Sequence, residues 1–213
     1  MILSTGRSYI FVHAPKTGGT AMALALEGRA MKDDIMLGDT PKALKRRKRV
    51  VDVQTRGRLW KHSTLADIDG LVPTLEGLFA FTMVRNPWDR MVSYYHWLQG
   101  QSFDHPAVAL AAQLPFAEFA CAAQVRASMQ ASPARHYMTD ASGAERCDLY
   151  IRLEALQADA IPLWDHLGFQ LEIGRANASV RDADYRTYYT DQARAAVAQF
   201  CAEDIERFGY TFE

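Results

Sequence analysis

A strand–loop–helix signature near the amino terminus constrains this chain more than any other feature. Tyr9-Ile10-Phe11-Val12-His13 is a compact apolar run bounded by turn residues, the pattern of a buried parallel strand. Ala14-Pro15-Lys16-Thr17-Gly18-Gly19-Thr20 follows as a loop, and residues 21–30, rich in Ala, Leu and Met, read as a helix. Units of this kind open nucleotide-binding α/β domains. Backbone N–H groups and the positive end of a helix dipole converge at such a loop, which makes it a seat for phosphate or sulfate. Gly18 and Gly19 let the backbone close on an anion, Lys16 brings a charge, and Thr17 and Thr20 bring hydroxyl donors. The plain alternative is a tight turn beside a surface lysine; the position between strand and helix favours the anion.

The order of residues in the loop narrows the anion. An ATP-type P-loop carries its lysine after the glycines, with a hydroxyl beside it for magnesium. Here Lys16 precedes Gly18 and Gly19, and the second clear strand, residues 78–84, runs into Arg85 instead of an aspartate. ATP with magnesium is disfavoured on both counts. That second strand leads into Arg85-Asn86-Pro87-Trp88-Asp89, good helix-start chemistry with Asn86 as N-cap, Pro87 at N1 and Asp89 at N3. Trp88, Met91, Val92, Tyr95 and Leu98 then share one helical face. Residues 149–153 make a third strand candidate, followed by a helix over about 157–167 that stops at Gly168. A last helix starts near Thr190 and stops at Gly209. Residues 32–59 are polar and irregular, and residues 99–146 read as loops and short Ala-rich helices. Strands alternating with helices imply one α/β domain over residues 1–213, P-loop-like and three-layered, with a mainly parallel central sheet flanked by helices.

With 49% hydrophobic and 23% charged residues in 213, the chain has the composition of an ordinary globular protein, and its net charge of −1 points to no particular partner. Cys121, Cys147 and Cys201 are odd in number and widely spaced, which argues against a disulfide framework or zinc site and for a reducing cytoplasm. No stretch approaches the roughly 20 apolar residues of a membrane helix, and no signal peptide is expected. Lys45-Arg46-Arg47-Lys48-Arg49 is either a solvated helix face or a hold on an acidic glycan or nucleic acid.

At this point two strings resemble a known family. Pro15-Lys16-Thr17-Gly18-Gly19-Thr20 is similar to the 5′-phosphosulfate loop of sulfotransferases that use 3′-phosphoadenosine 5′-phosphosulfate (PAPS). Arg85-Asn86-Pro87-Trp88-Asp89-Arg90-Met91-Val92-Ser93 resembles their 3′-phosphate motif, an arginine followed eight positions later by a serine. The style is nearest the carbohydrate branch that includes heparan 2-O-sulfotransferases and bacterial relatives. Ile151-Arg152-Leu153-Glu154-Ala155-Leu156, Asn177, Tyr188-Tyr189-Thr190-Asp191 and Asp204-Ile205-Glu206-Arg207-Phe208-Gly209-Tyr210 continue the likeness in family order.

The resemblance implies PAPS as donor, the adenosine bisphosphate PAP as product, no metal, and a hydroxyl-bearing acceptor, in this branch a carbohydrate. It implies a cofactor site of Lys16, Thr17, Gly18, Gly19, Thr20, Ala21, Arg85 and Ser93, with Arg186 reaching in from a carboxyl-terminal loop. An arginine at the end of a strand holds phosphate through two hydrogen bonds, and a serine on the next helix adds a hydroxyl. Sulfuryl transfer needs charge stabilisation on the leaving oxygen, a task for Lys16, and a base for the acceptor hydroxyl. His62, between the two motifs and just ahead of a possible N-cap at Ser63, is the expected base, a neutral imidazole near its ordinary pKa. His13 is its rival. Two further readings stay open: a small nucleotide or metabolite kinase, and a non-catalytic module that binds PAP or nucleic acid.

Overall fold

The structure is a computed structural model that describes residues 1–174, 176 and 181–213. Its strands are β1 (Ile2–Ser4), β2 (Tyr9–Val12), β3 (Ile35–Met36), β4 (Phe79–Val84) and β5 (Leu149–Arg152). Its helices begin with α1 (Gly19–Gly28), α2 (Pro41–Arg46), α3 (Pro87–Gln99), α4 (Pro106–Gln113), α5 (Phe116–Cys121) and α6 (Ala123–Gln130). They continue with α7 (Ala134–Tyr137), α8 (Leu156–Asp159), α9 (Ile161–Leu167), α10 (Asp191–Phe200) and α11 (Ala202–Phe208). The chain divides into two compact units, Met1–Val84 with Ala134–Asn177, and Arg85–Pro133 with Ala178–Glu213.

All five strands belong to the first unit and form one sheet in the order β3-β1-β2-β4-β5. β2, β4 and β5 run parallel, but β1 pairs antiparallel with both β2 and β3. The sheet is therefore mixed, a correction to the mainly parallel sheet expected from sequence. The reason is local: only a short turn separates Ser4 from Tyr9, too few residues for the crossover that parallel strands need. Ser8 takes a left-handed φ of 52° in that turn. Two- and three-residue strands such as β3 and β1 are too short to show a periodic pattern.

The period-two alternation of the strands feeds two cores, one per face. Tyr9, Phe11, Phe81, Met83 and Ile151 pack with Met22 and Leu26 of α1 and Leu163 and Trp164 of α9. Phe11 and Phe81, opposite each other in the β2–β4 register, have ring centroids 5.2 Å apart. On the other face Leu3, Ile10, Val12 and Ala80 pack against Leu65, Ile68 and Met138. The second unit has its own core, in which Trp88, Met91, Val92, Tyr95 and Leu98 of α3 bury against Phe116, Phe119, Val197 and Phe200. This is the face the helical spacing predicts, and the cap follows prediction too: the Asn86 side chain accepts from the Trp88 N–H at 3.1 Å.

The helices expected over 157–167 and from Thr190 onward each appear as two. α8 gives way at Ala160, with Pro162 early in α9, and α10 gives way to α11 at Cys201. The helix stops hold: Gly168 and Gly209 both take the left-handed conformation that only glycine adopts cheaply.

Candidate active site

The first unit places the glycine-rich loop between β2 and α1. Gly18 is the N-cap of α1 in the left-handed region (φ 85°), and no side chain caps the helix or puts an acid in its first turn. A β-carbon on Gly18 would lie 2.8 Å from Leu153 Cδ1, and one on Gly19 would enter the His13 ring. Both glycines are thus required by space, and Gly18 also by conformation. Lys16 takes φ 66°, a left-handed backbone for a long side chain, which curls the loop. The Thr17 hydroxyl donates to the Ala14 carbonyl at 2.9 Å inside the loop, and Thr17 is 2% exposed. Its hydroxyl proton therefore braces the loop. The Ala21 N–H donates to the Gly18 carbonyl at 3.0 Å and closes the first turn.

His13 and His62 meet beside this loop. His62 Nδ1 lies 2.7 Å from the His13 carbonyl oxygen, and the two rings stand edge to face with centroids 4.7 Å apart. A carbonyl only accepts, so Nδ1 carries the proton and the neutral ring keeps its lone pair on Nε2. Trp60 packs edge-on against the other side of His62, centroids 5.0 Å apart. Burial lowers the His62 pKa to about 4, against the opposing pull of the His13 carbonyl. The ordinary imidazole pKa expected from sequence is thus corrected: His62 is neutral over a wider range and is a weaker base. Burial pushes His13 well below its usual value as well, with the nearby Lys61 and Lys16 charges adding to the shift.

No helix begins at Ser63. Ser63 instead closes a turn, its hydroxyl oxygen accepting from the Trp60 N–H at 2.9 Å. A small pocket in the same unit is lined by His13, Thr20, Glu27, Asp39, Thr40 and Lys61. Lys61 and Asp39 form an ion pair of 2.6 Å there, and the Thr40 hydroxyl donates to Glu27.

The second unit holds the other motif. Arg85 Nε and Nη2 donate to Asp89 Oδ2 at 2.8 and 2.7 Å, and Arg181 Nη2 donates to Asp89 Oδ1 at 2.5 Å. Ser93 is 6% exposed, one turn further along α3 than Asp89. Arg186, expected to reach the cofactor, forms a two-point pair with Asp184 at 2.7 and 2.9 Å on an exposed 3₁₀ turn. Arg181 belongs to none of the motifs in the sequence, and the family-like Asn177 lies outside the described residues.

The basic run is partly internal scaffolding. Arg46 and Arg49 donate to backbone carbonyls of residues 32 and 34, while Lys45, Arg47, Lys48 and Arg49 itself are exposed. No helix among the described residues is long and apolar enough to cross a membrane.

A scan against models of protein families finds no match, and a search of curated proteins finds none either. Among solved structures, the crystal structure of mouse sulfotransferase SULT7A1 complexed with PAP is similar, at 16% identity over 95% of this chain and 85% of that chain, with a TM-score of 0.48. A likeness this slight carries nothing about chemistry.

Proposed function

We propose that the chain is a PAPS-dependent O-sulfotransferase. The observation that carries the reading is the His62 imidazole, locked through Nδ1 to the carbonyl of the residue that opens the anion-type loop, with Nε2 left as a proton acceptor. A glycine-shaped loop without an acid in the following turn suits a monoanionic or dianionic group. In this reading residues 16–21 hold the 5′-phosphosulfate, and Arg85 and Ser93 hold the 3′-phosphate. His62 Nε2 takes the proton of the acceptor hydroxyl as that oxygen attacks sulfur. The bond from sulfur to the 5′-phosphate oxygen breaks, and Lys16 stabilises the charge that collects on the departing oxygen. PAP leaves with that oxygen.

For the acceptor we favour a carbohydrate. The pocket beside His13 offers Thr20, Asp39, Thr40 and Lys61, a mixture of donors and acceptors that suits a ligand rich in hydroxyls. Titration calorimetry with PAP, ADP and ATP, with and without magnesium, tests the donor assignment. PAP is expected to bind without metal and at least tenfold more tightly than ADP, since each charge-assisted hydrogen bond contributes roughly 1.5–3 kcal/mol. Equal affinities for PAP and ADP would refute it, and ATP binding that needs magnesium would turn the reading to a kinase.

A further inference from the structure

Charge is unevenly spread along the chain. Residues 41–61 hold nine of the 24 basic residues and one of the 25 acidic ones, a net charge of +8. The other 192 residues hold 15 basic and 24 acidic side chains and carry −9. The density peaks at Lys45-Arg46-Arg47-Lys48-Arg49, which spans the end of α2 and a 3₁₀ turn, Arg47–Val50. Lys45, Arg47, Lys48 and Arg49 are exposed, and none of the five forms an ion pair among the described residues. A solvated helical face ordinarily mixes its charges, with opposite signs three or four residues apart. Here Lys45 meets Lys48 and Arg49 at those spacings, and like charges repel. Asp34 is buried and accepts from the Met31 N–H at 2.8 Å, and Asp39 pairs with Lys61, so neither neutralises the run.

Apolar side chains bracket these charges. Leu44, just before Lys45, is 51% exposed, and Val51, two residues past Arg49, is 69% exposed, the most of any large hydrophobic side chain among the described residues. RNA or a sulfated glycan would satisfy the cations and offer nothing to a leucine and a valine. An anionic bilayer offers both: its phosphate headgroups attract Lys and Arg, and the acyl boundary beneath them takes apolar side chains. Arg46 and Arg49, tied to the carbonyls of residues 32 and 34, fix the run to the first unit. We propose that residues 44–51 form a surface that docks the protein peripherally on a membrane rich in anionic phospholipid. The docking is shallow and reversible, because two apolar side chains bury too little to anchor a protein stably. None of these residues belongs to the cofactor or acceptor groups proposed above, so the surface and the reaction can be tested separately.

The test is flotation of the full chain with vesicles of phosphatidylcholine alone or of equimolar phosphatidylcholine and phosphatidylglycerol, beside binding assays with RNA and heparin. Wild type should float with the anionic vesicles only, and should be released as salt shortens the Debye length from about 10 Å toward about 3 Å. A basic residue near an anionic surface is worth roughly fivefold in binding, so joint substitution of Lys45→Gln, Arg47→Gln and Lys48→Gln should weaken partitioning roughly 100-fold. Leu44→Ser with Val51→Ser alters no charge and should weaken it roughly 10-fold. A wild type that ignores anionic vesicles overturns the proposal, and tight binding of RNA or heparin in its place would make the partner a soluble polyanion. Unchanged flotation by either variant also overturns the surface as drawn. The substituted side chains are exposed, and melting curves check that each variant folds. Where one does not, the wild-type comparison of the two vesicle types decides alone.

Discussion

In the proposed reaction His62 is the residue on which the chemistry turns. Its neighbour carbonyl sets the tautomer and its burial sets the pKa, so at neutral pH the ring is neutral and carries its proton on Nδ1. His62→Ala is expected to keep PAP affinity and lose about 10²- to 10⁴-fold in turnover, the usual contribution of a positioned base. The acidic limb of the wild-type kcat/KM profile should fall near pH 4 instead of near 6.5. A limb at 6.5 would place the base at neither buried imidazole, and a His62→Ala enzyme of near-normal rate would make His13 next to be tested. His13 and His62 can be named as candidates from sequence; the lowered pKa of His62 cannot, because it comes from chain segments folding over the ring.

At the scale of elements, the α3 start shows how far local rules reach. Asn86 caps the helix, Pro87 fits its first turn, and both are readable from five residues. The same Asn86 also donates through Nδ2 to the Thr211 carbonyl at 2.8 Å, a contact 125 residues away that no local rule contains. Asn86→Ala should therefore cost about 1–2 kcal/mol, at or above the upper half of ordinary N-cap losses. Urea denaturation measures it, and a loss below about 0.5 kcal/mol would mean the second bond adds nothing. The missed strands were β1 and β3. Each depends on hydrogen bonds to a neighbour strand rather than on its own few residues.

Over the whole molecule, buried imidazoles make stability depend on pH. His13 and His62 have folded pKa values below 6.5, so the unfolded chain binds more protons than the folded one between about pH 6.5 and 4. Their contribution is complete above the unfolded value and is lost as pH falls toward the folded one. The melting temperature should drop between pH 7 and pH 5, and His62→Asn should flatten that slope. A wild-type melting temperature that is level across this interval would contradict the burial of the two rings.

The sequence by itself determined where the backbone must turn sharply and where apolar faces lie. Gly18, Gly168 and Gly209 sit in left-handed conformations, and the α3 stripe is buried as its spacing predicts. Those are short-range consequences of sterics and of a 3.6-residue period, which a linear string displays directly. Tertiary structure alone decided the pairing of β3 with β1, the bond from His62 to the His13 carbonyl, and the arrival of Arg181 at Asp89. Each joins groups whose meeting depends on loop closure and long-range packing, and no local preference in either partner encodes the encounter.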